Sequence, residues 1–218
     1  QIEFTKPEWK NEDLTNKILV VIAEQSIGET FQHIRFVKQL AMEGARIIVV
    51  APDDIIDVLK QQKWISDTIG YDDQIPEHDF YIYMINIARN LEWNPKMDTQ
   101  KHPYLTAKKQ AFTNCIKGKK NIGFMNKADI SLPNYNQIRL PEDKINTIFK
   151  KSGHNIIDLS LGYNFSELSS ILQQLDLFIT IESDLCHLAG SLGVNTWLII
   201  PVVPKYTWDI NFKKSTPW

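Results

Sequence analysis

Residues that could do chemistry are concentrated in one short turn near the carboxyl end of the chain. Glu182, Ser183 and Asp184 follow an apolar run over residues 175–181, and His187 lies four positions beyond Ser183. A hydroxyl, an imidazole N–H and the unpaired backbone N–H groups at a helix start all suit a phosphate oxygen. A spacing of four on a helix places Ser183 and His187 on one face. The pattern therefore predicts a phosphate pocket at this turn.

Two apolar runs enclose the turn and predict how it is positioned. The run before it and the run over residues 196–200 are typical of buried strands, and residues 184–192 predict a helix between them. Leu185, Leu188 and Leu192 share a helix face that we expect to enter the core. A strand–helix–strand pattern of this kind indicates parallel strands, and such sheets bind ligands at the carboxyl ends of their strands.

A second β–α–β pattern lies near the amino terminus. Residues 17–23 (KILVVIA) and 46–50 (RIIVV) predict parallel strands, and residues 24–32 predict a turn that leads into the helix between them. Gly28 and Glu29 lie in that turn. This half of the chain therefore also presents polar residues directly after the carboxyl end of a strand.

The rest of the chain continues the alternation of strands and helices. Strands are predicted at 65–69, 80–84, 121–125 and 155–159, and helices at 52–62, 105–116, 141–151 and 165–173. The polar stretch 94–103 contains two prolines and is the best candidate for a linker. We therefore expect an α/β fold made of two Rossmann-like halves, residues 1–100 and 101–218.

Both turns resemble segments of bacterial glycosyltransferases with the GT-B fold. Residues 182–197, with the run His-Leu-Ala-Gly and a later Leu-Gly, are similar to the nucleotide-sugar-binding segment of tetratricopeptide-repeat-associated glycosyltransferases, relatives of the heptosyltransferases of family 9. Residues 24–32 resemble that group's Glu-Gln-Gly-x-Gly-Asp-Thr-x-Gln-Phe pattern, with Glu29 in place of the Asp. The group usually has Asp-Thr where this chain has Glu182-Ser183. The resemblance implies a GT-B-like architecture with shortened lobes, the first half facing the acceptor and the second the donor.

The resemblance also implies a reaction and a role for each candidate residue. It implies an inverting, metal-independent transfer of a hexosyl or heptosyl group from a nucleotide-diphosphate sugar to a glycan or protein hydroxyl, with no cofactor. Glu29 would be the base that takes the acceptor's proton. Lys127 or Arg139 would neutralise the leaving diphosphate. The remaining donor-binding residues would be Gly28, Glu182, Ser183, Asp184 and His187.

Each candidate also has an ordinary structural interpretation. Glu29 and Asp184 are acidic residues in a first helical turn, where they complement the helix dipole. His187 could be a satisfied interior residue, and Lys127 a solvated surface cation. Two acidic positions are substituted, and this chain lacks a run of basic residues that the resembling group usually has. These departures leave a second function open, a degenerate GT-B-like module that binds a nucleotide or a protein partner without turnover. An unrelated Rossmann-like binding protein is a third alternative.

The composition argues against several other classes of protein. The chain has 218 residues, 43% of them hydrophobic and 23% charged, and a net charge of −2 gives no electrostatic basis for binding nucleic acid. No apolar run approaches the roughly 20 residues that span a bilayer. Two cysteines provide neither a disulfide framework nor a cysteine zinc site, which favours a reducing, bacterial cytoplasm. The chain begins at Gln1, which is typical of a piece of a longer protein, and tetratricopeptide repeats could precede it.

Overall fold

Two α/β units, Gln1–Thr106 and Ala107–Trp218, make up the chain. The computed structural model describes residues 5–93, 103–108, 110, 112–127, 139–160, 162–202 and 208. Each unit contains a four-stranded parallel sheet with helices in its crossover connections, as in a Rossmann-like half. The predicted fold class is therefore confirmed. The predicted linker, residues 94–103, lies outside the described residues except for its last position.

The N-terminal unit has its sheet in the order β3-β2-β1-β4. Its elements are β1 (Ile18–Ile22), α1 (Ile27–Met42), β2 (Arg46–Val50), α2 (Asp53–Leu59), β3 (Ile65–Ile69), β4 (Phe80–Tyr83) and α3 (Met84–Asn90). The two inner strands, β1 and β2, are buried along almost their whole length. Strands that are covered on both faces need continuous apolar sequence, and this is why both read as unbroken Ile/Val/Leu runs.

The C-terminal unit has its sheet in the order β6-β5-β7-β8. Its elements are β5 (Asn121–Met125), α4 (Glu142–Ser152), β6 (Asn155–Asp158), α5 (Phe165–Leu172), β7 (Leu177–Ile181), α6 (Asp184–Ser191) and β8 (Thr196–Ile199). As predicted, Leu185, Leu188 and Leu192 enter the core. Pro141 precedes α4 as its N-cap instead of occupying the first turn.

In both sheets the order in which strands are added reverses at the first strand, which creates a switch point. In the N-terminal unit the chain passes from β1 to β2 on one side and later adds β4 on the other. In the C-terminal unit it passes from β5 to β6 and later adds β7 on the other side. Open parallel sheets bind ligands at such switch points, beyond the carboxyl ends of the strands. The fold therefore offers one crevice in each unit.

An aspartate fixes the pairing of β1 with β4 at their amino ends. Asp79, the residue before β4, accepts a hydrogen bond from the Ile18 backbone N–H at 2.8 Å. Its other carboxylate oxygen lies 3.3 Å from the Lys17 ammonium group. The carboxylate thus satisfies the first N–H of β1 and a neighbouring cation together.

The C-terminal unit repeats this arrangement between β5 and β7. Asp176, the residue before β7, accepts the Asn121 N–H at 2.9 Å and the Lys120 ammonium at 2.7 Å. These hydrogen bonds hold the pKa of Asp176 below its usual value, first through Lys120 and then through Asn121. An aspartate and a lysine therefore hold the pair formed by the first strand and the strand across the switch point in both units.

The helix predicted over residues 105–116 is wrong, because no helix is present among the residues described there. Backbone N–H groups of this segment bond to side chains of α5 and the turn after it. Gln110 donates to the Ser170 hydroxyl at 2.8 Å, and Phe112 donates to the Gln174 side-chain oxygen at 3.3 Å. These two donors are therefore satisfied by tertiary contacts and not by helical hydrogen bonds.

β7 begins two residues later than the predicted strand, at Leu177. Leu175 still belongs to the turn after α5, where its N–H donates to the Leu172 carbonyl at 3.2 Å. Its side chain covers Gly123 in the middle of β5, where any added Cβ would collide with a Leu175 methyl group. Within the described residues, none of the helices has the length and apolar character needed to cross a membrane.

Asp176→Asn is expected to lower the unfolding temperature at pH 7, because the amide cannot pair with Lys120. The folded-state pKa of Asp176 is lowered, so its stabilisation is present above the unfolded pKa of about 3.9 and is lost as pH falls through the folded pKa. Thermal unfolding measured from pH 7 down to about pH 2 should show the variant and wild type converging at acid pH. Asp57→Asn, at an exposed position on α2, is the matched control; an equal effect there would contradict this role.

Candidate functional site

Most of the predicted donor-binding residues lie along one edge of the C-terminal sheet. Because the strands are parallel, the carboxyl ends of β6, β5 and β7 are adjacent at this edge. Asp158 ends β6, Lys127 follows β5 by two residues, and Ser183 follows β7 by two residues. The switch point between β5 and β7 is thus flanked by a cation on one strand and a hydroxyl on the next.

Ser183 is the N-cap residue of α6, but its hydroxyl does not cap the helix. The hydroxyl lies 3.4 Å from the Thr180 hydroxyl, and the Ser183 carbonyl accepts the Cys186 N–H at 3.1 Å. Glu182 is buried, with 6% of its surface exposed, and Asp184 begins the helix half-buried. The turn therefore combines a hydroxyl that is not used as a cap with two carboxylates.

His187 lies one turn into α6 and stacks on Trp208. The two rings are 5.1 Å apart between centroids and inclined by 18°. Trp208 is buried, so this stacking fixes the plane of the half-buried imidazole. Cys186 is a core residue, as predicted, and burial raises the pKa of its thiol to about 12. It is therefore a neutral, unreactive thiol at pH 7.

A cavity of about 520 Å³ lies beside the ends of β5 and β6, under α4. It brings together Lys127 and Arg139, which are 12 residues apart in sequence. The rest of its described lining is Phe124, Asn126, Glu142, Ile145, Asn146, Phe149, Ile156, Asp158 and Ser160. Residues 182–187 do not line it. The predicted donor-binding residues of this unit therefore fall into two neighbouring groups, the cavity and the α6 turn.

The two cations of the cavity differ in their surroundings. A guanidinium nitrogen of Arg139 lies 2.7 Å from the Glu142 carboxylate, in an ion pair whose partners are both substantially exposed. Lys127 is exposed and makes no ion pair with any described residue. Exposed pairs contribute roughly 0–1 kcal/mol, so a ligand phosphate could attract Arg139 away from Glu142 at small cost.

Asn126 positions both of these residues and was missed by the sequence analysis. Its side chain accepts the Leu140 N–H at 2.8 Å and donates to the Leu140 carbonyl at 2.9 Å. Only 7% of its surface is exposed. Lys127 follows Asn126 and Arg139 precedes Leu140, so this pair of hydrogen bonds joins the two cation-bearing segments. The only sequence signal was a polar residue directly after a buried strand.

The floor of the cavity is apolar and its rim is polar. Phe124 and Phe149 contact each other edge to face, with centroids 4.9 Å apart. Asp158 accepts the Ser160 N–H at 2.8 Å and also its hydroxyl, which orders the turn after β6. An apolar floor with a few ordered polar groups is the usual composition of a small-molecule site.

In the N-terminal unit, Glu29 is the third residue of α1 and forms a capping box with Ser26. Its carboxylate accepts the Ser26 hydroxyl at 2.9 Å and the Ser26 N–H at 3.3 Å. The Ser26 hydroxyl in turn accepts the Glu29 N–H at 3.3 Å. Gly28 is buried within the same turn. The predicted base therefore has a structural role at the helix start, in addition to any catalytic one.

Glu24, which follows β1, occupies the switch point of the N-terminal unit. Its carboxylate accepts the N–H groups of Met84 at 3.0 Å and Ile85 at 3.4 Å, at the start of α3. A carboxylate of the chain itself thus fills the position where a helix start would attract a ligand anion. The comparable position in the C-terminal unit, two residues after β5, has Lys127, a cation.

Asn126→Ala is expected to destabilise the C-terminal unit by about 1–3 kcal/mol, because it removes both hydrogen bonds to the backbone of half-buried Leu140. Chemical denaturation would measure the loss. Asn146→Ala is the matched control, since Asn146 lines the same cavity from an exposed position on α4 without a hydrogen bond to a described residue. Equal stability of the two variants would contradict the positioning role of Asn126.

Solved structures of glycosyltransferases share this fold. A glycosyl transferase family 9 protein from Veillonella parvula DSM 2008 matches with a TM-score of 0.60 and 11% identity, over 86% of this chain and 81% of its own. The iron-containing dodecameric glycosyltransferase TibC from enterotoxigenic E. coli H10407 matches with a TM-score of 0.61 and 13% identity. The heptosyltransferase TibC in complex with ADP-D-beta-D-heptose matches with a TM-score of 0.58 and 12% identity.

Either TibC match covers 99% of this chain but 64% of the TibC chain. No protein-family model matches the sequence, and no curated protein is similar to it. In the part of the chain that the structure describes, no group of three or more His, Cys, Asp or Glu side chains could hold a metal ion. At this level of identity the comparisons establish one conclusion, that the chain has the fold of family 9 glycosyltransferases.

Proposed function

We propose that this chain is a glycosyltransferase domain that binds a nucleotide-diphosphate sugar in its C-terminal unit and transfers the sugar to a hydroxyl group. The observation that carries the proposal is the cavity of about 520 Å³ beside the carboxyl ends of β5 and β6, where Lys127 and Arg139 come together. The fold shared with family 9 glycosyltransferases supports it independently.

The cavity suits the nucleoside part of such a donor. A base is flat and largely apolar on its faces, and Phe124, Phe149 and Ile156 provide apolar surface of that kind. Ribose hydroxyls need acceptors and donors, which Asp158 and Ser160 provide at the rim. A volume of about 520 Å³ is within the 300–1,000 Å³ range of ligand pockets.

The diphosphate would lie between Lys127 and Ser183, which follow the neighbouring strands β5 and β7. Glu182 and Asp184 would repel it, so binding at this turn requires cations. Lys127 makes no ion pair with a described residue, and the ion pair of Arg139 with Glu142 is exposed. We therefore assign the neutralisation of the leaving diphosphate to these two side chains, without a metal ion.

The transfer would proceed with inversion. The acceptor oxygen bonds to the anomeric carbon, the bond from that carbon to the diphosphate breaks, and its electron pair leaves with the nucleotide. The acceptor's proton must go to a base. Glu29 is the base that the sequence predicts for this step. TibC has been crystallised with ADP-D-beta-D-heptose, which makes ADP-heptose a sensible member of a donor panel.

A non-catalytic module that binds a nucleotide or a protein partner is the second candidate. It is favoured by the capping box, which engages the Glu29 carboxylate, and by the ion pair between Arg139 and Glu142. Thermal stabilisation by UDP-, ADP- and GDP-sugars, followed by assays for release of the nucleotide, would separate the two. Binding without turnover would favour the module, and no binding at all would overturn both nucleotide-binding proposals.

Lys127→Ala is expected to weaken binding of the preferred nucleotide sugar by about 10- to 100-fold, because a hydrogen bond to a charged group is lost. Calorimetric titration would measure the dissociation constant. Lys144→Ala is the matched control, because Lys144 is an exposed lysine of α4 that does not line the cavity. Unchanged affinity in Lys127→Ala would place the diphosphate elsewhere.

Ser183→Ala is expected to weaken donor binding by about 5- to 10-fold, because one hydrogen bond to a phosphate oxygen is lost. Stability should change little, since the hydroxyl makes no capping bond to α6. Calorimetric titration and thermal unfolding of the same sample would test both statements. A large loss of stability with normal affinity would show that the hydroxyl is structural.

A further inference from the structure

Basic side chains that are scattered in the sequence come together at the amino edge of the C-terminal sheet, where β5 and β6 begin. β5 directly follows residues 117–120, and β6 directly follows residues 150–154. The two segments are adjacent because β5 and β6 are parallel neighbours, with Asn121 paired to Asn155. This surface, the basic edge, contains the exposed side chains of Lys117, Lys119, Lys120, Lys150, Lys151 and His154.

Hydrogen bonds of Asn155 join the two segments of the basic edge. Its backbone N–H donates to the Lys120 carbonyl at 2.9 Å. Its side-chain amide donates to the Asn114 carbonyl at 2.7 Å and to the Asn121 side-chain oxygen at 2.8 Å. The lysines therefore extend from a backbone that is fixed on both strands.

Most of the positive charge on the basic edge is uncompensated. Lys120 pairs with the Asp176 carboxylate at 2.7 Å. The other four lysines make no ion pair with a described residue. Residues 107–218 contain more Lys and Arg than Asp and Glu, although the whole chain has a net charge of −2. A concentrated cluster of one sign attracts a partner that carries many charges of the opposite sign.

Two exposed isoleucines accompany these lysines. Ile116, with 45% of its surface exposed, directly precedes Lys117. Ile148, with 64% exposed, lies on α4 three positions before Lys151, so the two share a helix face. Exposed apolar side chains among lysines suit a partner that is anionic at its surface and apolar just below it.

Ile116 lies in an ordered turn that is open to solvent. The Asn121 side-chain oxygen accepts the Ile116 N–H at 2.8 Å, and the Lys119 N–H donates to the Ile116 carbonyl at 3.3 Å. Gly118 has a φ of +84°, which favours glycine, and no described atom lies within 4 Å of the place a Cβ would take. The turn therefore presents Ile116 and its lysines without a covering element.

We propose that the basic edge binds the surface of a membrane rich in anionic lipids, with its lysines at the headgroups and Ile116 in the apolar layer directly below them. Each lysine near such a surface adds to the attraction, and an inserted apolar side chain adds to it independently of charge. The proposal does not depend on the proposed function.

The composition of the basic edge favours a lipid surface over a nucleic acid. Its cations are all lysines, whereas arginine is the residue best suited to paired hydrogen bonds with phosphates and bases. No exposed Phe, Tyr or Trp lies among its described residues to stack on a base. The cavity and the α6 turn lie at the opposite, carboxyl edge of the sheet, so a membrane-bound unit keeps them accessible.

Co-sedimentation of the full chain with vesicles tests the proposal. Vesicles of equal amounts of phosphatidylcholine and phosphatidylglycerol should bind the chain, vesicles of phosphatidylcholine alone should not, and binding should weaken as the salt concentration rises. Each lysine lost should weaken binding by about 5-fold, so four together should weaken it by at least about 100-fold. The combined variant is Lys117→Gln, Lys119→Gln, Lys150→Gln and Lys151→Gln.

A second combined variant removes the same charge from exposed lysines outside the basic edge and is the matched control. It consists of Lys10→Gln, Lys60→Gln, Lys63→Gln and Lys144→Gln. This control should keep most of the affinity of the wild type for anionic vesicles. An equal loss in both combined variants would make net charge the cause and overturn the proposal, as would a wild type that does not bind anionic vesicles.

Ile116→Asn separates a membrane from a polyanion such as nucleic acid. It should weaken binding to anionic vesicles by about 10-fold, because an apolar side chain no longer leaves water. It should leave binding to a DNA duplex and thermal unfolding unchanged. Ile85→Asn, at an exposed isoleucine of the N-terminal unit, is the matched control. Unchanged vesicle binding in Ile116→Asn, together with tighter binding of the wild type to DNA than to vesicles, would assign the basic edge to a nucleic acid and overturn the proposal.

Discussion

The pairing of each unit's first strand with the strand beyond its switch point is the constraint on which the other features depend. β1 pairs with β4 and β5 pairs with β7, and in both cases an aspartate bonds the first N–H of the inner strand. A shift of one residue would turn every side chain of the strand to the opposite face. The register therefore decides which residues follow the strands at the carboxyl edge, where Glu24 follows β1 and Lys127 follows the comparable strand β5, each by two residues.

The two units use this common scaffold differently. In the N-terminal unit, the carboxylate of Glu24 occupies the anion position at the start of α3, so a residue of the chain takes the place of a ligand anion there. In the C-terminal unit, the Ser183 hydroxyl does not cap α6, and a cavity with two cations opens beside it. This difference in electrostatics, and not a difference in topology, is the reason for placing a phosphorylated ligand in the C-terminal unit.

The candidate site also shows how a polar residue can act through the backbone. Asn126 touches only the backbone of Leu140, yet it brings the segments of Lys127 and Arg139 to one cavity. In the same way, the Glu29 carbonyl fixes the tautomer of His33. Both interactions involve the backbone of one partner, so the side-chain types alone would not reveal them.

The sequence by itself determined the α/β class, the strands and helices with strong apolar periodicity, and the core leucines of α6, because continuous apolar runs and helical spacing are local properties. It also selected the α6 turn and Lys127 and Arg139 as candidates. Only the tertiary structure decided that residues 105–116 are not helical where described, and that Asn126 joins two distant segments. These outcomes depend on hydrogen bonds between residues far apart in sequence, or on burial, neither of which a local pattern encodes.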